Sequence, residues 1–78
     1  MPLYNKLKEN RARLGINQQE LGALVGASRQ TISLIERGDY SPSVTLAIKI
    51  ARVFEKHVDD VFDYVEAEGE ERSEEENG

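Results

Sequence analysis

Apolar side chains return every three or four positions along most of the chain, and short breaks of glycine or small polar residues separate one run from the next. Leu3, Leu7, Arg11 and Leu14 keep helical spacing, which predicts a helix from about Asn5 to Leu14, with Gly15 just past its end. Asn17 followed three residues later by Glu20 reads as the capped start of a second helix, with Leu21, Leu24 and Val25 on one face and Gly26 as its stop. Ser28 opens a third, which turns Ile32 and Ile35 inward and ends at Gly38. Asp39-Tyr40-Ser41-Pro42 is a loop by its turn residues. Ser43 caps a fourth helix, whose Ala47, Ile50, Ala51 and Phe54 form one stripe and whose Lys49, Arg52 and Lys56 form the opposite one. A last short helix carries Asp59 and Asp60 in its first turn, where acids suit the helix dipole, and Val58, Val61, Phe62 and Val65 on its apolar face. No segment sustains a period of two, so the expected fold is all-α, five helices and no strand, without internal repeats.

Composition narrows the class. A chain of 78 residues makes one domain. It has no cysteine, so neither a disulfide nor a thiolate metal site is available. No apolar run approaches the roughly 20 residues of a membrane helix, and Met1-Pro2-Leu3-Tyr4 leads straight into charged residues without a signal peptide, so a cytoplasmic protein is expected. The net charge of −5 argues at first against a polyanionic partner. Its distribution reverses that. Residues 1–64 hold nine Lys and Arg against eight Asp and Glu, a net of +1, whereas residues 65–78 hold one Arg against seven Glu, a net of −6. The acidity belongs to a Glu-rich tail that lacks the apolar residues to order itself, and the expected domain boundaries are 4–64 and 65–78.

The helix pair at 18–37 carries the candidate chemistry. Two short helices joined through Gly26-Ala27-Ser28 have the layout of a helix-turn-helix, and Gly26 suits the sharp turn because it has no Cβ to clash at positive φ. With Ile32 and Ile35 inward, a rotation of about 100° per residue turns Gln30, Ser33, Leu34 and Arg37 outward, with Arg29 beside them. An amide reads adenine in the major groove, a guanidinium reads guanine or holds phosphate, and an apolar group meets the thymine methyl. The same residues also suit an ordinary solvated face.

From Asn17-Gln18-Gln19-Glu20-Leu21 through Val25-Gly26-Ala27-Ser28-Arg29-Gln30-Thr31-Ile32 to Glu36-Arg37-Gly38, the chain resembles the Cro/phage-repressor (XRE) family of helix-turn-helix regulators. The likeness continues through Tyr40-Ser41-Pro42-Ser43 and Leu46–Phe54 to Val61-Phe62, and so covers about residues 4–64. It implies a five-helix lambda-repressor-like domain whose third helix enters the major groove. By position, Gln18 would touch a phosphate, Arg29, Gln30 and Leu34 would face base edges, and Arg37 would contact backbone. Ser28, Thr31 and Ser33 complete the expected DNA-binding set. Leu34 departs from phage repressors that carry Gln there, so their target sequences do not transfer.

Arg11 lies on the apolar stripe of helix 1 and Glu36 at the edge of the buried side of helix 3, and a charge so placed needs a partner. The resemblance implies that the two pair with each other as a structural link; Arg11 on phosphate is the other reading. Val58, Val61, Phe62, Tyr64 and Val65 give more apolar surface than one short helix needs to dock, which makes them the expected dimer interface. His57, the only histidine, reads as a turn residue; Asp59, Asp60 and Asp63 read as a solvated helix face. Ser28 and Ser33 lack a nearby base, so no catalytic site, metal, cofactor or small-molecule ligand is expected. The expected function is sequence-specific binding of double-stranded DNA by a homodimer at a pseudo-palindromic operator, regulating transcription, most simply as a repressor. The alternative is an antitoxin-like or adaptor module whose partner is another protein.

Overall fold

A computed structural model describes residues 3–64. The expected acidic tail and Val65 lie outside the described residues. The chain runs β1 (Leu3–Asn5), α1 (Leu7–Leu14), α2 (Gln18–Val25), α3 (Arg29–Glu36), α4 (Val44–Phe54), α5 (Val58–Val61) and β2 (Phe62–Tyr64). Leu7, Leu21, Val25, Ile32, Ile35, Ala47, Ile50, Ala51, Phe54, Val61 and Phe62 form one core, so every helix contributes to it.

The caps act where their residue types suggest. Asn17 Oδ1 accepts the Glu20 N–H at 2.7 Å while Glu20 Oε1 accepts the Asn17 N–H at 2.8 Å, which fixes the start of α2. Ser28 Oγ accepts the Thr31 N–H at 3.0 Å and Ser43 Oγ the Leu46 N–H at 3.1 Å. Gly26 ends α2 at φ 75°, a conformation that strains residues with a Cβ.

The five helices agree with the expected fold class, and a strand pair is added to them. β1 and β2 run antiparallel with Leu3 opposite Tyr64, Tyr4 opposite Asp63 and Asn5 opposite Phe62. The expectation of no strand is therefore corrected: two strands of three residues each are too short to register as alternation. The pairing consumes residues read as helical. Asn5 lies in β1, and its Oδ1 instead accepts the Leu7 N–H at 3.1 Å as α1 begins. Phe62 and Tyr64 lie in β2, so α5 has only four residues.

Two expected core positions are also corrected. Leu24 is 61% exposed: it lies about 105° around the α2 axis from the centre of the buried face formed by Leu21, Gly22 and Val25. Leu14 is exposed as the last residue of α1, beyond the reach of the core. Asn10 is buried in their stead. Its Nδ2 donates to the Lys6 carbonyl at 2.9 Å, and its Oδ1 accepts from Arg13 Nη2, which also donates to the Phe54 carbonyl at the end of α4. That chain of bonds joins α1 to α4 and satisfies groups that would be costly to bury alone.

Candidate nucleic-acid interface

Helix α3 buries Ile32 and Ile35 and turns Arg29, Gln30, Leu34 and Arg37 to solvent, with Ser33 half-buried at the margin. Its N-terminus is free of covering structure: Ser28, Arg29 and Gln30 are exposed and Thr31 is half-buried. Ser28 and Thr31 also share a hydroxyl–hydroxyl hydrogen bond of 3.0 Å. Leu34, 36% exposed, sits in a polar strip of amide, hydroxyl and guanidinium groups. Arg37 pairs with Asp39 at 3.2 Å, but both side chains are about 60% exposed, so the pair contributes little.

The turn between α2 and α3 depends on Gly22, which the sequence reading passed over. The Gly22 carbonyl accepts the N–H groups of both Gly26 and Ala27. A Cβ at Gly22 would collide with the Ala27 backbone oxygen. The two helices approach this closely only because position 22 has no side chain, and that approach sets the angle at which α3 is presented. A glycine inside a helical pattern was the available signal, since an interior glycine needs a packing reason.

The start of α2 lies next to the start of α3. Arg11, Asn17, Gln18, Gln19 and Arg29 line one surface recess, so Gln18 and Arg29 of the expected set come together there. The recess is rich in N–H donors and is bordered by the N-terminus of α2, an arrangement that favours an anion.

Arg11 and Glu36 form the anticipated pair. Arg11 Nε donates to Glu36 Oε2 and Nη2 to Glu36 Oε1, a two-pronged contact, while Nη1 donates to the Ile16 carbonyl at 3.2 Å. The side chains are 15% and 10% exposed. The hydrogen bonds to Glu36 raise the guanidinium above its ordinary, already high pKa; burial opposes this and the charge of Glu36 adds to it. Gln18 Nε2 also donates to Glu36 Oε1 at 3.1 Å, a contact sequence reasoning did not anticipate.

The expected dimer surface needs correction. Val61 and Phe62 belong to the core of one chain and Val58 packs against it. These residues give the short helix its anchor rather than an excess of apolar surface. Tyr64, 56% exposed on β2, is the member of that set which remains open among the described residues. Lys49, Arg52, Lys56 and His57 are exposed, away from the core side of α4 and α5.

A helix-turn-helix family model matches residues 7–61, which spans α1 to α5. The chain is 53% identical over 60 residues to the uncharacterized HTH-type transcriptional regulator YgzD of Bacillus subtilis, covering 77% of this chain and 91% of that one. It is similar to the crystal structure of the P22 c2 repressor protein in complex with a synthetic operator, at 28% identity and a TM-score of 0.66, over 68% of this chain and 80% of that one. It is also similar to the restriction-modification controller protein C.AhdI of Aeromonas hydrophila, at 28% identity and a TM-score of 0.64, over 69% and 82% of the two chains. With the capped helix pair, the open face of α3 and the family match together, the chain belongs to the Cro/phage-repressor (XRE) type of helix-turn-helix transcriptional regulators.

Proposed function

We propose that this protein binds an operator in double-stranded DNA as a symmetric dimer and represses transcription by occupying it. The observation that carries the reading is the open outer face of α3, with Gln30, Leu34 and Arg37 lying opposite a fully buried Ile32 and Arg29 and Ser33 at the margins of that face. Gln30 and Arg29 offer the donors that read adenine and guanine, and Leu34 offers the apolar contact for a thymine methyl. Gln18, at the recess it shares with Arg29, donates to a phosphate and fixes the register of α3 in the groove. The end of α3 at Arg37 holds the flanking backbone. The P22 c2 repressor, of similar fold, stands in its crystal structure on a synthetic operator, which supports a duplex as the partner.

One α3 reads only part of a site, and two copies related by a twofold axis read half-sites about 34 Å apart. Selection of bound sequences from a random duplex pool, followed by sedimentation of the complex, tests the whole reading. A pseudo-palindromic consensus bound by two chains is expected. No enrichment would overturn DNA reading, and a strict 1:1 complex at saturation would overturn the dimer.

A further inference from the structure

We infer that Glu36, beyond pairing with Arg11, is a positioning residue for Gln18, and that it sets the strength with which this side chain holds a DNA phosphate. The inference rests on the phosphate role of Gln18 proposed above. Glu36 Oε1 accepts from both Arg11 Nη2 and Gln18 Nε2, each at 3.1 Å, while Arg11 Nε occupies Oε2. The amide of Gln18 has two ends of similar shape and opposite polarity. Only the nitrogen end can face a carboxylate at this distance, because the oxygen end would put two acceptors together. Glu36 therefore selects one of the two amide orientations. It leaves the second N–H of Nε2, on the opposite side of the planar nitrogen from Glu36, with no protein partner among the described residues.

Charge makes Glu36 suited to this place. A bare carboxylate near a phosphate would repel it. Here the two-pronged contact with Arg11 cancels that charge, and Glu36 can hold Gln18 without opposing DNA. Arg11 in turn is fixed to the Ile16 carbonyl at the loop before α2, so the holder and the held amide are anchored to the same corner of the fold. Rotamer freedom that Gln18 would otherwise lose on binding is already lost in the free protein, which strengthens the contact it makes. Gln19, its exposed neighbour, has no such tie among the described residues and serves as the internal control.

Two measurements test this. In the free wild-type protein, ¹⁵N relaxation of the side-chain amides should find Gln18 ordered, close to a rigid-backbone order parameter of about 0.85, and Gln19 mobile, below about 0.6. Equal mobility of the two would overturn the inference, whatever any variant does. The second measurement is affinity for a fixed duplex at low salt for wild type, Gln18→Ala, Glu36→Leu and the double variant, at a temperature where circular dichroism finds each folded. Gln18→Ala should weaken wild type about tenfold, as expected for a lost hydrogen bond to a charged group. In the Glu36→Leu background, where no acceptor faces Gln18, the same substitution should cost less than about twofold, because the amide is no longer held with its N–H outward. An equal cost in both backgrounds would overturn the positioning role and leave the phosphate contact standing. No cost in wild type would remove Gln18 from the phosphate contacts and overturn both.

Discussion

At its C-terminal end α3 is tied to three other parts of the molecule, whereas at its N-terminal end it is held by its own cap. The tied end has Glu36 bonded to Arg11 of α1 and Gln18 of α2, and the Ile35 carbonyl accepting from Asn5 Nδ2 of β1 at 2.8 Å. The free end has Ser28, Arg29 and Gln30 in solvent, with the Ser28 hydroxyl on the Thr31 N–H. A helix proposed to enter a groove needs one exposed end and a fixed direction. The direction comes from the close α2–α3 turn at Gly22 and from the ties at the end that does not enter. In the proposed mode of binding, the larger contributions to stability and to base reading therefore fall toward opposite ends of one eight-residue helix, and substitutions should separate them.

The largest effect is expected at the tied end. Arg11→Ala leaves the half-buried Glu36 carboxylate without its cation, and breaking one side of such a pair costs about 3–5 kcal/mol. That is a large share of the stability of a domain this size. The melting temperature should fall by tens of degrees, at about 4–8 °C per kcal/mol for a domain of this length. Because its partner raises the pKa of Arg11, this contribution persists below the ordinary pKa and is lost only as pH rises past the raised one, so thermal melts from pH 5 to 9 should show the same deficit. A variant that melts as wild type but fails to bind duplex would erase the contrast between the two ends and make Arg11 a phosphate ligand.

Asn5→Ala should come next. Asn5 gives Ile35 its side-chain N–H and takes the Leu7 N–H, so its loss unties β1 from α3 and uncaps the start of α1 together. Leaving such partly buried groups unpaired costs about 1–3 kcal/mol. Chemical denaturation should show a lower midpoint, while base preference, measured on the folded protein, stays as in wild type. A changed preference would mean that the sheet influences how α3 sits in the groove.

The two ends were unequally legible. The free end could be read from sequence because its signals are local: Asn17 and Glu20 three apart, Gly26 at a turn, Ser28 before a helix, Ile32 and Ile35 on one side. Each sets a nearby dihedral or a single face. The tied end depends on contacts between residues far apart in the chain. Asn5 meets Ile35 thirty residues away, and Arg11 meets Glu36 twenty-five residues away. No periodicity reports such pairs. The Arg11–Glu36 link was reached only through likeness to a family, since two charges near an apolar stripe do not name each other. The sheet escaped because three-residue strands take their stability from pairing and from the core beneath Phe62, not from their own propensity.

At the free end Gln30→Ala should leave the melting temperature unchanged, because the side chain is exposed and has no hydrogen bond within the described protein. Its effect should fall on discrimination, about 1–3 kcal/mol between the selected duplex and one altered at the contacted base pair. Wild-type discrimination in this variant would move the reading surface elsewhere on α3.

The smallest effect should also divide the two roles within one residue. Ser28 is both the cap of α3 and a member of the proposed DNA surface. Ser28→Ala removes the acceptor for the Thr31 N–H and should cost about 1 kcal/mol of stability. That substitution alone cannot tell a weaker helix from a lost DNA contact. Ser28→Asp can. Aspartate caps a helix as well as serine does and its charge suits the N-terminal dipole, so stability should match wild type within about 0.5 kcal/mol. The same charge placed where a phosphate approaches should repel it. Duplex affinity should fall, and it should recover in part as salt screens the new charge over a Debye length of about 10 Å at 0.1 M. Normal melting with weakened, salt-sensitive binding places the start of α3 against the DNA backbone. Normal melting with unchanged binding would leave Ser28 a cap alone and move the approach of the duplex toward Leu34 and Arg37.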